Sequence, residues 1–265
     1  MPDGAIAIDG WHLAASAAFV VLAGAVSLGL RLGLEAKLAV ASARTVGQLL
    51  LVGYVLGWVF ALEEPFVVLA LLTLMIAAAA RAAVQRSARK VRGAGLMAFS
   101  MLAVTGLATT LGTTEVVIGV EPWWRPQYVV PLLGMVLGNG LTGMSLCLDE
   151  LLQSLDEQRA RVETELAFGA TRWEAERGPL REAVRRGMIP ILNSMMVVGV
   201  VSLPGMMTGQ ILEGADPLMA VRYQIVIMFM LAGATSFGCM LLGLLLYRRL
   251  FNAHHQLRAE LIVRG

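Results

Sequence analysis

Runs of apolar residues long enough to cross a bilayer dominate this chain and leave few ways to fold it. About 20 helical residues cross roughly 30 Å of hydrocarbon, and a backbone at that depth must satisfy its own hydrogen bonds, which favours helices. Runs of this kind cover residues 11–30, 45–62, 66–80, 94–113, 128–147, 188–212 and 218–247. With 57% hydrophobic and 15% charged residues, and a mean hydropathy of +0.72, the chain has too little polar surface for a soluble globule. The reading is an all-α, polytopic integral membrane protein: one transmembrane domain over residues 1–265 with about seven transmembrane helices.

Orientation follows from where Lys and Arg fall, because basic loops stay on the cytoplasmic side. The loop 81–93 carries Arg81, Arg86, Arg89, Lys90 and Arg92 without an acidic residue, and the tail carries Arg248, Arg249, Arg258 and Arg264. The loops on the other side are acidic, Glu63-Glu64-Pro65, then Glu115 and Glu121, then Glu213 and Asp216, with Arg125 and Arg222 as the exceptions. This pattern predicts the N-terminus outside and the C-terminus in the cytoplasm. No basic residue precedes the first run, so a retained span is expected rather than a cleaved leader. Residues 31–44, with Arg31, Glu35, Lys37 and Arg44, read as an amphipathic elbow at the cytoplasmic surface. Trp11, Trp123 and Trp124 suit the headgroup layer.

The chemistry present is that of a conduit rather than of an enzyme. A phosphate-cradling glycine loop ends in Gly-Lys-Ser or Gly-Lys-Thr, and the two lysines, Lys37 and Lys90, stand in no such context. Any ATP used must therefore be bound by another polypeptide. Cys147 and Cys239 lie in or beside apolar runs and are expected as buried thiols rather than a disulfide. Intramembrane polarity concentrates in the fifth and sixth runs, at Asn139, Thr142, Ser145, Asn193, Ser194, Ser202, Thr208 and Gln210. Polar side chains in hydrocarbon turn toward other helices or a cavity, so these runs are expected to line a pathway. Pro204 frees the Val200 carbonyl and, with Gly205, marks a hinge or gate beside Met206 and Met207. The methionines serve either as adaptable packing or as soft ligands. Three glycine pairs, Gly53 with Gly57, Gly134 with Gly138 and Gly205 with Gly209, have the spacing of close helix contacts.

Between the fifth and sixth runs lies a charged segment, residues 148–187. Leu148, Leu151, Leu152, Leu155, Val162 and Leu166 recur at helical spacing, opposite a charged face. The helix is expected to break at Phe168-Gly169-Ala170. Thr171 and Glu174 have capping-box spacing and open a second helix, and Gly178-Pro179 predicts a break before a third. The pattern alone fits either a docking handle or a solvated linker.

Glu163-Thr164-Glu165-Leu166-Ala167-Phe168-Gly169-Ala170-Thr171-Arg172-Trp173 resembles the cytoplasmic loop by which ABC-transporter permeases engage their ATPase subunits. Here Thr164 and Glu165 replace the usual alanines, and the closing proline is displaced to Pro179 or Pro190. The run Pro190-Ile191-Leu192-Asn193, with Ser202-Leu203-Pro204-Gly205-Met206-Met207-Thr208-Gly209-Gln210 and Gly214-Ala215-Asp216-Pro217, resembles bacterial iron-export ABC permeases of the Fet type. These are related to plant membrane subunits linked to aluminium tolerance. The resemblance implies a permease subunit in a bacterial inner membrane, pairing with itself and with a cytoplasmic ABC ATPase that holds the ATP and magnesium. The chain itself is expected to bind no cofactor and no nucleic acid. Glu163, Glu165, Gly169, Ala170, Thr171, Arg172 and Trp173 would couple to the ATPase; Asn139, Asn193, Ser202, Pro204, Gly205, Met206, Met207, Thr208 and Gln210 would line the pathway. If iron is the cargo, Glu213 and Asp216, with Glu63 and Glu64, are the candidate oxygen ligands at the outer mouth. A sugar nucleotide or other small solute is the alternative cargo, and an ATP-independent transporter or scaffold the alternative machine.

Overall fold

Uninterrupted apolar sequence becomes uninterrupted helix here. The computed structural model describes residues 8–62, 64–86, 89–91, 93–252, 256, 258 and 261–264; Glu63, Arg92, His254 and His255 fall outside them. In chain order come α1 (Gly10–Gly29), α2 (Glu35–Leu62), α3 (Pro65–Arg86), β1 (Arg89–Val91) and α4 (Ala94–Leu111), the last continued by a π-helical turn (Gly112–Ile118). There follow α5 (Pro126–Glu157), α6 (Arg159–Ala167), α7 (Arg172–Val197), α8 (Gly205–Leu212), α9 (Pro217–Leu250) and β2 (Ile262–Arg264). Among the described residues six helices are long and apolar enough to span a membrane: α1, α2, α3, α4 with its π-helical turn, α5 and α9.

The seventh expected span, residues 188–212, is not one helix. It is the second half of α7, a break over residues 198–204, and the short α8. The hinge or gate expected at Pro204 and Gly205 falls at the end of a longer interruption: the helix already stops at Val197. Gly199 adopts a left-handed φ of +84° and its N–H donates to the Ser202 carbonyl at 2.9 Å. Three β-branched valines, Val198, Val200 and Val201, and the extended backbone that Pro204 imposes on its predecessor then disfavour helix until Gly205. Two further boundaries differ from expectation. The elbow is not a separate segment: Ser27 Oγ donates to Glu35 Oε1 at 2.9 Å and accepts from the Leu34 N–H at 3.1 Å, closing a tight turn. From Glu35 no proline interrupts the helix, so residues 35–44 are simply its first turns. Nor does Gly178-Pro179 break α7, which runs through both. An interior proline costs about 3 kcal/mol, and here the packing of Ala175, Glu176 and Ala183, all buried, holds the helix across it.

The core is a bundle of α5, α7 and α9, backed by α3 and α4. Leu133, Cys147, Leu151, Leu152 and Leu155 of α5 are fully buried with Cys239, Leu246 and Leu250 of α9. Helix α7 runs antiparallel to both neighbours: Leu180 packs at Gly243, Gly187 at Gly143 and Cys239, and Ile191 and Val198 lie by Asn139, Met135 and Gln224. At Gly143 and Gly187 backbone approaches backbone directly. A Cβ at Gly187 would lie 2.7 Å from both the Gly143 carbonyl oxygen and Cys239 Sγ. Two backbones meet there because neither carries a side chain. The predicted pairs do not do this within the chain: nothing lies within 4 Å of a Cβ at Gly53, Gly57, Gly138, Gly205 or Gly209. Both cysteines are free and buried, as expected. Threonines in α4 return their hydroxyls to the preceding turn, as Thr105 does to the Met101 carbonyl at 2.7 Å. By contrast, α1 and α2 bury only Ser27 and Val59.

At one end of the bundle, β1 pairs antiparallel with β2, tying the loop after α3 to the C-terminal tail. Arg249 of α9 reaches Gly93 at the same end. This three-residue ribbon is an addition that neither basic stretch announced, and the protein remains an all-α membrane protein.

Two outcomes are expected from this packing. Gly187→Ala should cost about 1–3 kcal/mol by overpacking, a fall of several degrees in melting temperature in detergent, whereas Gly57→Ala should leave it unchanged. The second concerns Glu176, which is buried with neither carboxylate oxygen hydrogen-bonded. Burial pushes its carboxyl up from 4.5 to about 8. The folded protein therefore holds a proton that the unfolded chain releases, so stability falls as pH rises from about 4.5 to 8, by a few kcal/mol in total. Glu176→Gln should flatten the dependence of melting temperature on pH across that window; an unchanged slope would count against a protonated Glu176.

Candidate functional site

Two places bring chemistry together. The first is the handle that follows α5. Helix α6 ends in a left-handed glycine, Gly169 with φ +91°, whose N–H donates to the Leu166 carbonyl while Ala170 donates to that of Glu165, both at 3.0 Å. This reciprocal pair satisfies the last carbonyls and turns the chain, and a residue with a Cβ would be strained at Gly169. Thr171 then caps α7: its hydroxyl accepts from the Glu174 N–H at 3.3 Å, and the Thr171 N–H donates to Glu174 Oε2 at 2.8 Å. The Thr171 hydroxyl also donates to Glu174 Oε2 at 2.8 Å, and the backbone and hydroxyl bonds to that carboxylate hold it below its ordinary range. The expected capping box is therefore present.

The turn displays apolar surface. Phe168 is 89% exposed and Trp173 46%. Trp173 edges a groove of about 640 Å³ with Arg177, Leu180, Arg181 and Val184 of α7 and Met240 and Leu244 of α9. Glu163 and Glu165 are engaged within α6, accepting from Arg159 at 2.7 Å and Arg161 at 2.9 Å. Exposed pairs at this spacing add only a few tenths of a kcal/mol. Ala170 is half-buried and Arg172 is the first residue of α7. An ion pair between Arg186 and Glu150 joins α7 to α5.

The second place is the break in the bundle. A cavity of about 310 Å³ opens between α5, α7, α8 and α9, lined by Asn139, Ser194, Ser202, Pro204, Gly205, Met206 and Gln224 among apolar neighbours. Five residues expected on the pathway converge there: Asn139, Ser202, Pro204, Gly205 and Met206. Met207 lines the adjoining cavity of about 510 Å³, with Val198, Gly199 and Gln224. Asn193, Thr208 and Gln210 are on neither wall; Asn193 is exposed, and Thr208 returns its hydroxyl to the Pro204 carbonyl at 3.1 Å. Asn139 donates to the Met135 carbonyl at 3.0 Å and Ser194 to that of Pro190 at 3.0 Å. Gln224 is the residue that sequence reasoning missed. Its signal was a lone amide among apolar residues of the last run, near Arg222.

The expected outer carboxylates sit on the turn between α8 and α9. Glu213 is exposed at the end of α8, and Asp216 Oδ2 accepts the Met219 N–H at 2.9 Å, a cap for α9. Among the described residues no three of His, Cys, Asp or Glu come together to hold a metal ion.

Residues 10–251, nearly all of these helices, match the family described as "Uncharacterised protein family (UPF0014)". The chain is 41% identical over 228 residues to a UPF0014 membrane protein of Synechocystis, covering 85% of this chain and 87% of the relative. It is 33% identical over 245 residues to the Escherichia coli protein named "Probable iron export permease protein FetB", covering 92% and 93%. It is 35% identical over 243 residues to the rice UPF0014 membrane protein STAR2, covering 92% and 84%. No solved structure matches the chain. Matched across its helical bundle and aligned over most of both chains with these relatives, the chain belongs to the UPF0014 family of membrane proteins.

Proposed function

We propose that this permease-family chain is the membrane subunit of an ABC exporter, working as a homodimer with separate cytoplasmic ATPase subunits that hold ATP and magnesium. The observation that carries this reading is the handle. An exposed glycine turn flanked by Phe168 and Trp173 heads a helix, α7, that continues without interruption to the break lined by Asn139, Ser202 and Gln224. ATP-driven closure of the partners moves the handle, and α7 carries that movement to the cavity. The chain performs no covalent chemistry. The name of the Escherichia coli relative supports iron as the cargo and export as the direction. The exposed carboxylates of Glu213 and Asp216 offer an emerging cation weak oxygen ligands, from which release is easy.

Orientation follows from charge. The end of α3 with Arg81, the paired strands β1 and β2, the end of α9 with Arg248 and Arg249, and the handle, whose Trp173 lies by Leu244, gather at one end. Under the positive-inside rule that end is cytoplasmic, in a bacterial inner membrane, and the N-terminus is outside. Single cysteines at Gln127 and Gln158, in a background with Cys147 and Cys239 replaced by Ala, should label with an impermeant maleimide from outside and inside respectively. The reverse pattern would sink this arrangement.

The coupling reading predicts two further phenotypes. Gly169→Pro should insert normally yet separate ATP hydrolysis from iron efflux, because proline fits neither the left-handed backbone nor the donated bond to Leu166. Trp173→Ala should weaken ATPase binding by about 2 kcal/mol, roughly thirtyfold, as loss of an aromatic anchor does. Co-purification with the ATPase and hydrolysis assays in lipid test both. Wild-type binding and efflux in the two variants would refute the assignment of the handle.

A further inference from the structure

Four arginines of α6 and α7 each have a glutamate partner: Arg159 has Glu163, Arg161 has Glu165, Arg185 has Glu182 and Arg186 has Glu150. Arg248 and Arg249, at the end of α9, do not. Both are exposed, and among the described residues neither makes a hydrogen bond or an ion pair. They line a groove of about 380 Å³ whose apolar wall comes from Leu96 and Met97 of α4 and Leu245 of α9. Leu96 is 78% exposed. The membrane-crossing stretch of α4 begins at Gly95, so the groove lies at the boundary of the bilayer, with its leucines on the hydrocarbon side and its arginines at headgroup depth. Arg249 also stands where a cation is disfavoured. A Cβ at Gly93 would lie 2.6 Å from Arg249 Nη2, and Gly93 is the cap of α4, whose first N–H groups carry the positive end of the helix dipole. The ribbon that leads into α4 adds further basic residues, with Arg89 opposite Arg264 in its register.

From this we propose that the groove between the start of α4 and the end of α9 binds an anionic phospholipid, its phosphate held by Arg248 and Arg249 and an acyl chain laid along Leu96, Met97 and Leu245. Charge complementarity selects this occupant. Guanidinium groups take phosphate oxygens in pairs, and basic pockets between spans collect acidic headgroups. A zwitterionic lipid brings its own cation into a place that already holds two, and gains less. A soluble phosphate ester meets the arginines but leaves the leucine wall uncovered, whereas a lipid covers both. The bound lipid would bridge α4 and α9 where the ribbon ties the loop after α3 to the tail. Nothing in this inference depends on the cargo or on the direction of transport.

The test is native mass spectrometry of the purified full chain, released from mixed micelles that hold phosphatidylglycerol and phosphatidylcholine at equal mole fraction, with glycerol phosphate as the soluble headgroup probe. Phosphatidylglycerol is expected to stay bound in preference to phosphatidylcholine, and glycerol phosphate at the same concentration is expected not to displace it. Neutralising both cations, Arg248→Gln with Arg249→Gln, should weaken phosphatidylglycerol about thirtyfold, or about fivefold for each arginine. The same change of charge on α6, Arg159→Gln with Arg161→Gln, should leave it unchanged. Equal retention of the two lipids, displacement by glycerol phosphate, or an equal loss in the α6 variant each overturns the proposal. Should the Arg248 and Arg249 variant fail to elute as a single species, Leu96→Glu carries the test from an exposed position: its carboxylate competes with the phosphate and should weaken phosphatidylglycerol at least about tenfold, and wild-type retention there overturns the site. A second copy of the chain seated on the groove would instead leave lipid retention unchanged in the arginine variant while abolishing dimers, which likewise overturns it.

Discussion

Every backbone N–H and C=O at bilayer depth needs a partner inside the protein, and this demand organises the whole chain. Long helices meet it locally, which is why α1, α2, α3, α4, α5 and α9 are continuous and why the threonines of α4 fold back on the preceding turn. The same demand makes the interruption between Val197 and Gly205 the most informative feature of the bundle. Irregular backbone at that depth is tolerated where it adjoins protein or a water-filled cavity, and here it adjoins a cavity walled by α5, α7 and α9.

Once helices exist, what holds them together is closeness. Gly143 and Gly187 let two backbones touch, and Cys147, Cys239 and Thr235 close around them. In lipid there is little hydrophobic drive for one apolar helix to leave the tails for another, so contact of this kind matters more than apolarity. Helices α5, α7 and α9 have it. Helices α1 and α2 lack it and present Phe19, Leu22, Leu49 and Trp58 outward.

The helical class, the approximate spans, the glycine turn and the Thr171 cap were legible because each is written in consecutive residues. Run length marks a span, and a threonine three residues before a glutamate marks a cap. The Gly143 and Gly187 contact was not legible, since it joins residues on different helices whose register only the fold sets; the glycine pairs that periodicity suggested came from within single helices. The break before α8 escaped because hydropathy cannot tell an apolar helix from an apolar turn, and Val197 to Leu203 is apolar throughout but for Gly199 and Ser202. Gln224 and Glu176 were missed for the opposite reason. Each is an ordinary polar residue in sequence, and only burial without a partner makes it unusual.

Mechanical leverage is built into α7. About 15 residues separate Arg172 from Gly187, some 22 Å of helix, and about 10 more, some 15 Å, reach Val197 at the break. Gly187 is the point clamped by backbone on one side and sulfur on the other, and so the natural fulcrum. A rigid rod pivoting there moves its two ends in opposite directions, in a ratio of about three to two. Displacing the handle by roughly 3 Å thus carries the far end about 2 Å the other way, on the scale of the small helix shifts by which packed interfaces switch.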